Sequence, residues 1–152
     1  MPRNRSKRPH KAKVRDDCII STTDYLERTR QLAPTIASFS DEAEQLRRLP
    51  EPLLQAMNDA GLFRMLLPAC YGGGETDPLR FVQVINEVAK VDASTAWCLC
   101  QLGGCAMVGA YLTPVMAHEI FGDARGMVAW GPPSRAQAEV VPGGYRITGT
   151  WN

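Results

Sequence analysis

Between Ala93 and Ala117 the chain runs twenty-five residues, ASTAWCLCQLGGCAMVGAYLTPVMA, without one formally charged side chain. So long an uncharged stretch leaves few environments: a bilayer, or the inside of a helical bundle. A membrane span needs about twenty predominantly apolar residues in succession. Here Gln101, Gly103, Gly104, Gly109 and Thr113-Pro114 interrupt the run, and Ser, Thr, Ala and Gly dilute it. The expectation is a helix surrounded by other helices, with small residues permitting close packing on every side, and no membrane partner. Trp97 within it reads first as a core residue.

The preceding sequence supplies helices to surround it. Thr23 to Arg48 is rich in helix formers, with Leu26, Ala33, Ile36, Ala37, Ala43 and Leu46 tending to one side, and Pro34 should kink or divide it. PEPLLQAMNDAG makes a shorter helix ended by Gly61 at the C′ position. PLRFVQVINEVAKV places Leu79, Val82, Ile85 and Ala89 at helical spacing. Between these two lies LLPACYGGGETDP, whose three glycines invite a phosphate-loop reading. A phosphate loop needs G-x-x-x-x-G-K-[ST] or G-x-G-x-x-G opening directly on a helix. Instead Glu75, Thr76 and Asp77 intervene, and Asp77-Pro78 reads as an N-cap with proline at the first helical position. The triplet is a structural turn.

Charge is uneven along the chain. MPRNRSKRPHKAKVR holds seven Lys or Arg in fifteen residues, whereas the rest carries ten basic side chains against all sixteen acidic ones. Such a run is expected to be a solvated, disordered tail. It has no interleaved aromatics to suggest specific nucleic-acid binding, and no apolar stretch for a signal peptide, so a cytoplasmic location is expected. Cys18, Cys70, Cys98, Cys100 and Cys105 form neither a C-x-x-C pair nor a zinc spacing, and only His10 and His118 could join them. Reduced thiols and no metal site follow. Glu87 and Glu119 have the context of helix-surface or capping groups.

After Gly122 the pattern changes. MVAW reads as a strand, and AEVVPGGYRITGTW as two strands joined by a Pro-Gly-Gly turn, with Tyr145 and Ile147 alternating against Arg146 and Thr148. A lone hairpin buries no face by itself. The expected organisation is therefore a basic tail over 1–20, a helical domain over 21–124 and, over 125–152, the truncated start of a β domain. The fold class is mainly α: a helical bundle followed by the opening of a β-barrel-like domain.

The series G-L-F at a helix end, P-x-x-Y-G-G, E-x-A-x-x-D-A-S at a helix junction, and G-G-Y-x-x-x-G-x-W resembles the acyl-CoA dehydrogenase superfamily. LPEPLLQAMNDAGLFRMLLPACYGGGETDPLRFVQVINEVAKVDASTAWCL is similar to its N-terminal helical domain, and GGYRITGTWN to the opening of its central β domain. The resemblance implies a flavin, FAD or FMN, lying between the two domains. It implies that Ala129, Trp130 and Gly131 occupy the strand whose backbone touches the flavin, and that Trp151 matches the tryptophan packed beside it, against a hairpin-core alternative. Ser134 joins them on the flavin side.

MVAWGPPSRAQAEVV departs from the dehydrogenase pattern, having neither Thr-Glu-Pro nor Gly-Ala-Gly-Ser-Asp. The S-T-A-W helix and the short route into GGYRITGTW look more like the two-component monooxygenase branch. That branch implies reduced flavin from a separate reductase, oxygen, and a small-molecule substrate held in a dry pocket. The full-length form would be a homo-oligomer, a tetramer. Under the dehydrogenase alternative, the base that removes a proton from an acyl thioester belongs to the family's C-terminal helical domain, so no catalytic residue is expected among these 152. A third expectation is a non-catalytic remnant that binds a partner. In every case the isolated chain should bind flavin weakly or not at all.

Overall fold

The computed structural model describes residues 22–132 and 135–151, with side chains from Tyr25 onward. Among these residues five α-helices follow one another: α1 (Thr22–Leu46), α2 (Glu51–Asp59), α3 (Pro78–Ala89), α4 (Ala93–Cys105) and α5 (Pro114–Phe121). Short 3-10 turns lie at Leu62–Arg64, Ala69–Tyr71 and Ala106–Ala110. A two-stranded antiparallel ribbon closes the order, β1 (Gln137–Val141) and β2 (Gly144–Thr148). The basic tail lies outside the described residues.

α1 runs unbroken through Pro34, which the sequence expectation had kinking or dividing it. Pro34 sits on the exposed side, where water can satisfy the carbonyl that its missing N–H leaves free. The buried stripe of α1 is Tyr25, Thr29, Ile36 and Ala43, whereas the expected Ala37 and Leu46 are exposed. Thr29 tolerates burial because its hydroxyl donates to the Tyr25 carbonyl at 2.7 Å. On α3 the expected face also shifts. Phe81, Val84 and Val88 are buried, while Leu79, Val82 and Ala89 face outward. Helical spacing alone allowed either stripe; the outward one also carries Gln83, Asn86 and Lys90.

α4 is closed on one side only. Thr95, Ala96, Leu99 and Gly103 are buried, but Trp97 is 64% exposed and is not a core residue. The small residues serve one neighbour: a Cβ on Gly103 would stand 2.8 Å from the Phe81 ring, so α3 and α4 touch there closely. Asp92 caps α4 by accepting from the Thr95 amide at 2.7 Å, and Asp77 caps α3 through Leu79 at the same distance. No helix is long and apolar enough to cross a membrane among the described residues.

The glycine triplet is a bend, as read. Gly61 ends α2 with φ 75°, the left-handed conformation that a side chain resists. A Cβ on Gly73 would overlap the Leu67 carbonyl, and one on Gly74 would overlap the Tyr25 hydroxyl. The Gly74 and Thr76 amides instead bond Arg64 and Met65 carbonyls at 2.9 and 2.8 Å. Their donors are spent on this chain, not presented to a phosphate.

The main core gathers Tyr25, Leu53, Met57, Phe63, Val84 and Leu99 among others; a second, smaller cluster holds Leu67, Ala106 and Phe121. MVAW forms no strand. Met127 packs on the main core and Val128 on the smaller one, an anchorage that uses side chains in place of ladder hydrogen bonds. Across the ribbon, Val140 faces Tyr145 and Ala138 faces Ile147, with Glu139 opposite Arg146. Val140, Tyr145 and Ile147 are all exposed.

Candidate functional site

Beyond Val128 the backbone leaves the helical body, and Ala129 and Trp130 are exposed. Gly131 passes the edge of the Trp151 indole: a Cβ added there would stand 3.9 Å from Trp151 Cδ1. On the other side, a Cβ on Gly149 would meet Ala136 Cβ and Trp151 Cη2 at 3.0 Å each. The Trp151 indole thus has a glycine near each of its two edges, yet remains 52% exposed. Gly131 and Trp151, twenty residues apart, are brought near one another; Trp130, 64% exposed, is the residue before Gly131. Ser134 lies outside the described residues. Trp151 is half-exposed, and the large apolar side chains of the ribbon are exposed as well.

This strip has a limited chemistry. Ala129, Trp130, Gly131 and Trp151 carry no titratable side chain, so they can bind a planar apolar group and exclude water from it, but move no proton. Two exposed indoles beside a residue without Cβ leave flat surface on which a ring can stack. That fits one wall of a flavin site. Among the described residues no three His, Cys, Asp or Glu side chains could hold a metal ion.

Sequence reasoning missed Arg64. Its guanidinium donates to the carbonyls of Tyr71 (2.6 Å), Phe121 (2.7 Å), Asp123 (3.0 Å), Ala124 (3.3 Å) and, through Nε, Gly72 (3.4 Å). Burial lowers its pKa, and the Asp123 carboxylate opposes that shift. The available signal was a lone cation in the apolar run LFRMLL. Cys98 on α4 has its thiol pKa pushed up by burial, then by nearby Asp92, which makes it a poor nucleophile. It lines an open groove of about 610 Å³ with Glu44, Arg47, Arg48, Ser94 and Trp97, which shares no residue with the Trp151 strip.

Residues 24–119 match the family model described as acyl-CoA dehydrogenase, N-terminal domain. The flavin-dependent monooxygenase oxygenase subunit HsaA of Rhodococcus jostii is 30% identical over 129 residues, covering 83% of this chain and 33% of that protein. The crystal structure of the HsaA monooxygenase from M. tuberculosis superposes with a TM-score of 0.78 at 30% identity, over 86% of this chain and 36% of that one. XiaF from Streptomyces sp., solved in complex with FADH2 and glycerol, gives the same TM-score and identity over 86% of this chain and 33% of its own. The chain spans about a third of the length of the relatives it matches. The matched helical domain, carried on through the bend and caps described above, makes the chain a member of the acyl-CoA dehydrogenase family.

Proposed function

We propose that the chain is the N-terminal third of an oxygenase component that uses reduced flavin, FAD or FMN, and oxygen to hydroxylate a small molecule. The observation that carries this reading is the extent of the likeness to a monooxygenase oxygenase subunit, which at 83% of the chain is too long to be confined to the helical domain. The missing Thr-Glu-Pro and Gly-Ala-Gly-Ser-Asp segments favour it over oxidation of an acyl thioester.

Bound flavin would supply the oxygen chemistry. This chain's residues would supply a wall: Trp130 and Trp151 stack against the ring, Ala129 and Gly131 let the backbone approach it, and Ser134 offers a hydroxyl. Met127 and Val128, docked on the two cores, hold that wall to the helical body. Excluding water there strengthens every polar contact to substrate. Proton donors and acceptors come from elsewhere in the enzyme, as do the contacts that make flavin binding tight. A flavin reductase as partner, a homotetramer and a cytoplasmic location belong to the same reading.

The test joins residues 22–152 to the C-terminal two-thirds of an oxygenase relative. With a flavin reductase the chimera should bind reduced flavin and form hydroxylated product only in the presence of oxygen, and Trp130→Ala should weaken flavin binding. A folded chimera that binds no flavin, or that reduces a dye anaerobically at the expense of acyl-CoA, contradicts the reading.

A further inference from the structure

We propose that Arg64 is a positioning residue for the exit from the helical body: its five-carbonyl clamp fixes the direction in which Met127–Gly131 departs. The clamp joins two stretches far apart in sequence, the glycine bend at Tyr71 and Gly72 and the end of α5 at Phe121, Asp123 and Ala124. Carbonyls at a helix C-terminus lack intrahelical donors and carry partial negative charge, so a cation satisfies both needs. Only a planar guanidinium fork reaches so many acceptors at once; an ammonium has three donors on one atom.

The turn beyond the clamp is held as well. Arg125 donates its amide to the Asp123 carboxylate at 2.8 Å and pairs its guanidinium with Glu51 at the start of α2. The Gly126 amide bonds the Asp123 carbonyl at 2.9 Å. Four residues separate Ala124 from Ala129, and two of them, Met127 and Val128, dock on different cores. The clamp before them and the two dockings together set the direction in which the chain reaches Trp130. That this wall faces a flavin rests on the function proposed above; the clamp itself does not.

Limited trypsin digestion of the full chain separates the two. Cleavage after Arg125 reads the clamped turn, and cleavage after Arg47 or Arg48, in the exposed link between α1 and α2, serves as the internal control. Proteolysis tracks the population of the locally opened form. Arg64→Ala should speed cleavage after Arg125 about tenfold or more, with the control changed less than about twofold. Arg64→Lys, which keeps the charge, should give a smaller but still selective increase, and millimolar guanidinium ion should slow cleavage of the Ala variant only. If Arg64→Ala unfolds the whole chain, Arg64→Lys decides. Equal acceleration at both sites in Arg64→Lys, or cleavage after Arg125 at the unsubstituted rate, overturns the proposal. Because no flavin is present, the clamp and the flavin assignment can fail separately.

Discussion

The helical body and the β-ribbon are built from similarly apolar sequence, yet only one of them has somewhere to put it. In the body, Phe63 is 1% exposed, and Leu53, Met57, Val84 and Leu99 are fully buried. In the ribbon, Ile147 is 63% exposed, and Val140 and Tyr145 are more exposed still. Burial of a large apolar side chain contributes about 1.5–3 kcal/mol, so the body holds nearly all the hydrophobic stabilisation and the ribbon almost none. A two-stranded ribbon is marginal in water for the same reason. The contrast teaches that backbone pairing and alternation define a strand pair locally, while its stability waits on a second layer.

Substitutions can break this contrast or sharpen it. The largest effect should come from Phe63→Ala, which leaves a void in the main core and costs about 3–5 kcal/mol, read as a lowered urea midpoint of the helical signal. Gly73→Ala comes next. Its new methyl overlaps the Leu67 carbonyl, so the bend must shift, at a cost of about 1–3 kcal/mol in the same assay. Asp77→Ala removes the cap on Leu79 and should cost about 1 kcal/mol, with hydrogen exchange rising first in the opening turn of α3.

Acid should act more weakly. The Lys90 hydrogen bond, with Lys90 and Arg30 charges behind it, holds the Glu87 carboxyl below the usual glutamate range. Its contribution is present above that range and fades as pH falls through it, so Glu87→Gln should flatten the acid limb of a pH–melting curve slightly. At the small end, Ile147→Ala should change the melting of the body by less than about 0.5 kcal/mol. A loss comparable to that of Phe63→Ala would place Ile147 in a shared core and erase the contrast.

Local chemistry made parts of this architecture legible in the sequence. Asp77-Pro78 announced the start of α3, Gly61 the end of α2, and Val141-Pro142-Gly143-Gly144 the turn of the ribbon, because each depends on residues adjacent in the chain. Partnership was not legible. The α3 segment is apolar on more than one side, and choosing Phe81–Val84–Val88 required knowing that Gly103 would receive Phe81. Tyr25 is buried because Gly61 and Gly74 leave room for its ring, a fit between residues decades of positions apart. MVAW has strand composition, but no partner strand pairs with it among the described residues, and its two inward side chains dock on helices. At the candidate site, Trp151 and Gly131 were named separately by resemblance; that they lie near one another is a property of the fold. Arg64 escaped notice because hydrogen bonds to distant carbonyls leave no periodic trace.

Native-state hydrogen exchange on the 152-residue chain tests the division between body and ribbon most directly. The amides of Val84, Val88 and Leu99 should be the slowest to exchange, while those of β1 and β2 should exchange within about tenfold of an unstructured chain. Ribbon amides as strongly protected as those of α4 would contradict the account, since they would show a sheet already stabilised by the residues present.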